Sequence, residues 1–345
     1  MIPVSVITGF LGSGKTTLLA RLLRHPDMNR TAVIVNEFGA VGLDHELVET
    51  SDESFVRLSN GCLCCNVRSD LTLTLGDLAA RRAAGSVPPF ERVVIETTGL
   101  ADPAPILHAL MTDRDLAGLY ALDGVITTVD ALTGLATLKN HEQSLRQAAV
   151  ADRIVLTKTD VAPAQAGPVL ERVRRVNPNA PVIHAVRGEI APSALFDAGL
   201  YTAAGKHPDV RAWLAEEANP DDSRHHRHRE DIGSFSIVRD TPLDAVALAL
   251  FLSALAENCG SDLLRLKGIV QVAQAHDRPA VIHGVQHVYH APLWLDRWPS
   301  GDRRTRMVFI GRNVREQWVR GLLDLIEAEV AEETARHQAL ISTGT

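Results

Sequence analysis

The chain has 345 residues and a formal net charge of −7, with 46% hydrophobic and 22% charged side chains and 4 cysteines. This length favours two domains over a single core. The acidic balance argues against a general nucleic-acid binder, and the lack of any apolar run of about 18 residues argues against a membrane span. The sequence starts directly on a glycine-rich motif that removal of a leader would destroy, so the expected location is the cytoplasm.

Val4-Ser5-Val6-Ile7 predicts a buried strand. Gly9-Phe10-Leu11-Gly12-Ser13-Gly14-Lys15-Thr16 follows and fits G-x-x-x-x-G-K-[ST] at every fixed position. Gly9, Gly12 and Gly14 let the backbone wrap an anion with its N–H groups turned inward around Ser13. Lys15 would bring a point charge to the β/γ-phosphates, and the Thr16 hydroxyl is placed to hold Mg²⁺. From Thr17 to Leu23 the pattern predicts a helix whose positive end faces the same phosphates.

Ala32-Val33-Ile34-Val35 predicts a second buried strand, delivering Asn36-Glu37-Phe38-Gly39 at its carboxyl end. Ligands bind at that end of open parallel sheets. Glu37 can therefore approach the nucleotide's metal or a water, or simply end the strand in solvent; the sequence leaves both open. Residues 40–60 are polar and acidic and lead to Gly61-Cys62-Leu63-Cys64-Cys65. C-x-C spacing lets Cys62 and Cys64 point the same way in an extended segment, and two thiolates suit Zn²⁺. Cys65 joins them only if the backbone turns. A structural zinc site would bring four ligands, so this shorter set suits an ion that is held and later released. A redox thiol pair and inert packing are the alternatives. Cys259 stands apart and is expected to be a small buried or capping residue.

Ser69 to Ala84 predicts a helix with Leu71, Leu75, Leu78 and Ala79 on one face. Arg92 to Glu96 predicts a strand ending in a carboxylate, followed by Thr97-Thr98-Gly99. Glu96 suits a second Mg²⁺ contact, and Gly99 suits a backbone N–H aimed at a γ-phosphate. Further strands are expected over 124–130, 153–156 and 181–185, with a helix over 140–151. Thr157-Lys158-Thr159-Asp160 closes the 153–156 strand. Asp160 can accept from the N1–H and 2-amino groups of guanine, which selects GTP over ATP, while the Lys158 stem lies along the base. The alternative for Asp160 is a helix N-cap.

Residues 205–231 turn polar and carry His225, His226 and His228, three of the 14 histidines. Weak metal capture and a plain solvated tract are equally compatible with them. From Gly233 an α+β unit is expected: strands at 235–238, 263–270, 280–285 and 306–311, a helix over 243–256 with Pro242 in its first turn, and a closing helix over 314–331. The last dozen residues are expected to fray. His276, His283, His287 and His290 are expected to be structural rather than ligands.

The motifs GFLGSGKTT (9–17), NEFG (36–39), GCLCC (61–65), ETTGLADP (96–103), TKTD (157–160), LRLKG (264–268) and VFIGR (308–312) resemble the CobW-type branch of the metal-handling P-loop GTPases. That group also includes the urease and hydrogenase nickel-insertion GTPases. The resemblance covers nearly the whole chain. It implies an α/β P-loop GTPase domain (1–204) with a mostly parallel sheet flanked by helices. A polar linker (205–232), a C-terminal α+β CobW-type domain (233–331) and a tail (332–345) would follow. It further implies a GTP-hydrolysing metallochaperone with Cys62, Cys64 and Cys65 as metal ligands, zinc the usual cargo and cobalt a family alternative. Gly9, Gly12, Ser13, Gly14, Lys15, Thr16 and Thr17 match the phosphate and Mg²⁺ loop, Glu96 and Gly99 the switch, and Lys158 and Asp160 the guanine reader. Lys15, Thr16, Glu37 and Glu96 are thus the catalytic candidates, with Thr16 and Glu96 also the Mg²⁺ ligands. Thr157 departs from the family's usual Asn, which braces this loop. The partners expected are GTP or GDP, a metal-requiring client and, for assembly, a second copy of the chain. A thiol-based redox switch without cargo and a small-molecule P-loop kinase are the competing readings.

Overall fold

The computed structural model describes residues 1–35, 55–57, 67–196 and 232–343. Asn36, Glu37, Cys62, Cys64, Cys65 and the 225–228 histidine tract lie outside the described residues. The chain divides into two compact units, Met1–Asp221 and Asp222–Thr345.

The first unit contains, in order, β1 (Ile2–Gly9), α1 (Lys15–Leu22), β2 (Thr31–Val35), β3 (Phe55–Arg57), α2 (Val67–Ala83), β4 (Arg92–Glu96) and α3 (Ala104–Thr112). It continues with β5 (Tyr120–Asp130), α4 (Gly134–Asn140), α5 (Glu142–Ala149), β6 (Arg153–Thr157), α6 (Pro163–Val176), β7 (Val182–Ala185) and the one-turn α7 (Pro192–Leu195). Its seven described strands form one sheet in the order β3-β2-β4-β1-β5-β6-β7, every pairing parallel. A parallel sheet must be covered on both faces, so its strands are rich in apolar residues on both sides rather than alternating. Val4, Val6 and Ile7 of the central β1 are accordingly all at 0% exposure. On one face Leu18, Leu19 and Leu22 of α1 pack with Ile7, Val94, Ile126 and Val155. Fully burying such a side chain is worth about 1.5–3 kcal/mol. The Leu71, Leu75 and Leu78 stripe of α2 is buried as its spacing predicts.

From β1 the chain moves to one side for β2–β4 and to the other for β5–β7. The carboxyl end of β1 therefore lies at the topological switch point, where open α/β sheets bind ligands.

Several elements differ from the sequence expectation. β3 extends the sheet beyond β2; Phe55-Val56-Arg57 is too short and too embedded in acidic residues to stand out. The helix expected over 140–151 is α5 over 142–149, and a separate helix, α4, precedes it, the two parted at His141, which has extended backbone (φ −126°, ψ 113°). Two further helices, α3 and α6, occupy stretches whose sequence carries no clear helical periodicity. Both carry prolines in the first turn, and α6 carries Pro168 inside, so proline masked the periodicity.

The second unit holds β8 (Ile232–Arg239), α8 (Ala245–Cys259), β9 (Leu263–Val270), β10 (Ala280–Val285), β11 (Val288–Tyr289), β12 (Leu293–Trp294), β13 (Thr305–Arg312) and α9 (Glu316–Thr343). The strands pair antiparallel in the order β11-β10-β9-β13-β8, with β12 beside β10. Phe251 and Leu255 of α8 and Val319 and Leu323 of α9 pack on Ile237, Leu266, Met307 and Phe309 of the sheet. Phe309 stacks on Phe235 at 4.9 Å and meets Phe251 edge-on at 6.4 Å.

Pro242 does not open α8. The N-cap is Asp244, whose carboxylate accepts from the N–H groups of Val246 and Ala247 at 2.7 and 3.4 Å. Cys259 ends α8 half-buried against this core, and burial pushes its thiol pKa up. The closing helix does not stop at Ala331 but runs to Thr343. Residues 332–343 contain no Gly or Pro, and Arg336 pairs with Glu332 at (i, i+4), so nothing breaks the helix there. No helix among the described residues is long and apolar enough to cross a membrane.

Candidate functional site

The site forms where β1 gives way to α1. Gly9 ends β1 at φ +144°, and a Cβ there would lie 2.3 Å from Thr128 Oγ1 and 2.5 Å from Thr128 O. Only glycine lets the loop turn this close to β5. The turn continues through Gly12 (φ +72°) to Gly14, which occupies the N-cap of α1 at φ +95°. Gly14 has no side chain to cap the helix. The first-turn N–H groups have no acceptor within the helix, and they face the loop as an anion site.

Side chains fix this loop from below. Ser13 Oγ and Thr128 Oγ1 share a hydrogen bond of 2.6 Å, and Ser13 N–H donates to Phe10 O at 3.1 Å. Lys15, 8% exposed, donates from Nζ to Phe10 O at 3.1 Å, so its ammonium curls over the loop. Thr16 donates from Oγ1 to Glu96 Oε1 at 2.7 Å. Glu96 is 5% exposed and ends β4 in register with Ile7 of β1. A hydroxyl and a buried carboxylate side by side form a hard-oxygen donor pair, and its chemistry fits Mg²⁺. Thr17 lies exposed in the first turn of α1.

The segment after β4 is held against the same loop. Thr97 N–H donates to Ile7 O at 3.0 Å and Thr97 Oγ1 to Thr8 Oγ1 at 2.8 Å. A Cβ on Gly99 would fall 2.6 Å from Leu11 N and 2.7 Å from Leu11 Cα. The Gly99 segment and the phosphate loop are therefore in direct backbone contact, which any side chain at 99 would push apart.

The Thr157–Asp160 turn closes the third side. Lys158 sits at φ +56° and donates from Nζ to Gly12 O at 2.6 Å, with Asp130 Oδ1 at 3.8 Å. Thr157 Oγ1 donates to Ser13 O at 2.7 Å in a buried contact. The Thr157 hydroxyl thus reaches the phosphate loop itself. Asp160 is about one-third exposed, with Arg187 Nε at 4.0 Å. Arg187 lies in the turn after β7, where a Cβ on the neighbouring Gly188 would meet Thr17 O at 2.9 Å. That turn rests on the start of α1.

The structure brings together Gly9, Gly12, Ser13, Gly14, Lys15, Thr16, Glu96, Gly99 and Lys158, with Asp160 at the rim. Thr128 and Asp130 are site residues that sequence reasoning does not single out, and Thr157 stands out there only as a departure from the motif. The signal was their position at the carboxyl ends of β5 and β6, beside the switch point. Among the described residues no group of three His, Cys, Asp or Glu side chains could hold a metal ion. Glu37 and the cysteine triplet are not among them.

Residues 3–184 match the family described as CobW/HypB/UreG, nucleotide-binding domain, and residues 232–326 match the cobalamin synthesis protein CobW C-terminal domain. The chain is 35% identical over 322 residues to the zinc chaperone YjiA of Escherichia coli, covering 92% of this chain and 96% of that protein. It is 30% identical over 346 residues to the zinc chaperone CobW of Sinorhizobium sp, covering 90% and 92%. The crystal structure of the Zn(II)-bound YjiA GTPase from E. coli superposes with a TM-score of 0.68 at 30% identity, covering 94% of this chain and 98% of that one.

Proposed function

We propose, from the premise that this chain belongs to the CobW/HypB/UreG family of nucleotide-binding proteins, that it is a cytoplasmic GTPase that carries zinc to a client protein. The observation that supports the nucleotide half most directly is the Thr16–Glu96 contact at 2.7 Å, beside a phosphate loop whose Lys15 and first-turn N–H groups face the same space. Thr16 and Glu96 would hold Mg²⁺, which when bound supplies charge neutralisation between the β- and γ-phosphates. Lys15 exchanges its Phe10 carbonyl for phosphate oxygens, and the Gly99 N–H orients the γ-phosphate. Asp160 accepts from guanine, and Lys158, held by Gly12 O, flanks the base. Glu37 is the candidate for positioning a water or binding metal.

The metal half is supported by the relatives, each named a zinc chaperone, and by the C-x-C-C triplet at Cys62, Cys64 and Cys65. The thiolates of Cys62, Cys64 and Cys65 would form the zinc site. The names of the relatives favour zinc over cobalt as cargo. Nucleotide state would set zinc affinity because residues 36–65 join the strand end beside Glu96 to the thiols. A coupling of about 1–3 kcal/mol changes metal affinity roughly 5- to 150-fold, and nucleotide affinity by the same factor. Zinc titrations with a non-hydrolysable GTP analogue and with GDP test this. Equal zinc affinities in the two states, or zinc binding unchanged in a Cys62→Ser, Cys64→Ser, Cys65→Ser triple variant, would refute the carrier reading and leave a bare nucleotide hydrolase.

A further inference from the structure

Helix α5 does more in this fold than cover the sheet. Gln147, at 0% exposure, donates from Nε2 to Ala101 O at 3.0 Å and to Gly99 O at 3.3 Å. Arg146, the preceding residue, donates from NH1 to Asp102 Oδ2 at 3.0 Å, and its Nε and NH2 hold Glu142 Oε1 at 2.9 and 2.7 Å. Asp102 in turn accepts from Ala104 N–H at 3.0 Å and so fixes the start of α3. Two consecutive side chains of one helix thus hold three successive features of the 99–102 segment.

The helix itself is anchored. Asn177, 2% exposed, donates from Nδ2 to the carbonyls of Ala148, Ala149 and Ala151 at 2.9, 3.2 and 2.9 Å. The first two are carbonyls at the end of α5, where a helix leaves groups without intrahelical partners, and the third lies just beyond it. Thr127 of β5 donates to Gln147 O at 2.8 Å. At the other end, His141 stacks on Phe10 of the phosphate loop with ring centroids 4.6 Å apart. The helix therefore touches the phosphate loop through His141 and the Gly99 segment through Gln147 and Arg146. Its far end is tied to the body of the unit.

We propose that Gln147 and Arg146 are positioning residues for γ-phosphate recognition. They hold the backbone of Gly99 against Leu11, so that its N–H is in place when GTP enters and need not be ordered by the ligand. Ordering a backbone residue costs conformational entropy, and a helix that has already met that cost favours the nucleotide that uses the ordered N–H. GDP lacks the γ-phosphate and gains nothing from it. This rests on the nucleotide reading above and extends it to residues outside the recognised motifs.

The test compares the full-length wild type with Gln147→Leu, Gln147→Glu and Arg146→Lys. It measures affinity for a non-hydrolysable GTP analogue and for GDP in Mg²⁺, kcat and KM for GTP, and thermal midpoint. Gln147→Leu removes both donors at nearly constant volume. It is expected to weaken the analogue about tenfold, equivalent to about 1.4 kcal/mol, while GDP affinity stays within about twofold. Gln147→Glu sets a carboxylate against two carbonyls and is expected to lose more. Arg146→Lys keeps the charge but not the fork and is expected to shift the same ratio less. Equal losses for both nucleotides that track a fall in midpoint would make the contacts merely structural and overturn the inference, as would variants indistinguishable from wild type. If Gln147→Leu does not fold, the ratio in Arg146→Lys decides. A wild type that binds no GTP would refute the nucleotide reading itself, a different and separable outcome.

Discussion

Thr157→Val removes one hydroxyl and almost nothing else. The side chain is 5% exposed, its Oγ1 donates to Ser13 O at 2.7 Å, and valine has the same branched shape. No cavity is created, so the cost is that of a buried carbonyl losing its donor, about 1–3 kcal/mol. Ser13 belongs to the loop that would wrap the β-phosphate, and the same bond ties the Thr157–Asp160 turn to it. Nucleotide affinity should therefore fall along with stability, within the roughly 5- to 150-fold that such an energy spans. Denaturant unfolding of the ligand-free protein reads the first effect as a lower midpoint with unchanged slope. Calorimetric titration with GDP reads the second. Thr157→Asn, which restores a polar reach, should recover most of both. If Thr157→Val left the midpoint and the GDP affinity where they were, the hydroxyl would not be a brace, and the reason for threonine at this position would have to be sought in the base instead.

Gly9→Ala forces a Cβ to 2.3 Å from Thr128 Oγ1 at φ +144°, so it should abolish nucleotide binding and lower the thermal midpoint, whereas Gly12→Ala, with no atom within 4 Å of its Cβ, should be milder in both. Glu96→Gln keeps an acceptor for Thr16 at neutral charge; GTP turnover should drop by at least about tenfold while Mg²⁺-free GDP binding persists, and undiminished turnover would remove Glu96 from the metal. Asp302 has its carboxyl held down to about 2, first by the Arg304 hydrogen bond and with Arg306 nearby. A lowered folded-state pKa contributes stability that is present above the unfolded value of about 3.9 and is lost as pH falls towards 2. Between pH 5 and pH 2 the unfolding midpoint of Asp302→Asn should therefore decline less than that of wild type.

Much of the first unit was legible because its strands are buried on both faces. Val4–Ile7, interrupted only by Ser5, Ala32–Val35 and Val93–Ile95 are short apolar runs followed by polar or glycine residues, and they cannot be mistaken for amphipathic helices. The phosphate loop was legible for the same local reason, since its backbone demands glycine at 9, 12 and 14. What stayed hidden was set at long range. Thr128 meets Ser13 across 115 residues, Thr157 meets it across 144, and Gln147 meets Gly99 across 48. No local pattern records those contacts. The departure at Thr157 looked like a missing brace from the motif alone, but its hydroxyl is a brace of a different length. Asp244 was passed over as a cap because Pro242, two residues earlier, carried the louder signal. The end of α9 was misjudged because 332–343 has no apolar stripe, yet helix-forming residues and the Arg336 pairs need none.

The placement of β1 at the middle of its sheet also sets the order in which the protein can be made. Ile2 pairs with Tyr120, Ile7 with Glu96 and Ile126, and Ser13 waits for Thr157. A ribosome adding roughly 5–20 residues each second needs roughly 7–30 s to travel from Gly9 to Thr157. Until β4 and β5 have been made, β1 is an apolar ribbon without neighbours, and until Thr157 follows, its glycine turn lacks the brace on Ser13. The newborn chain is thus exposed to capture by chaperones just when it cannot yet be rescued by its own nucleotide.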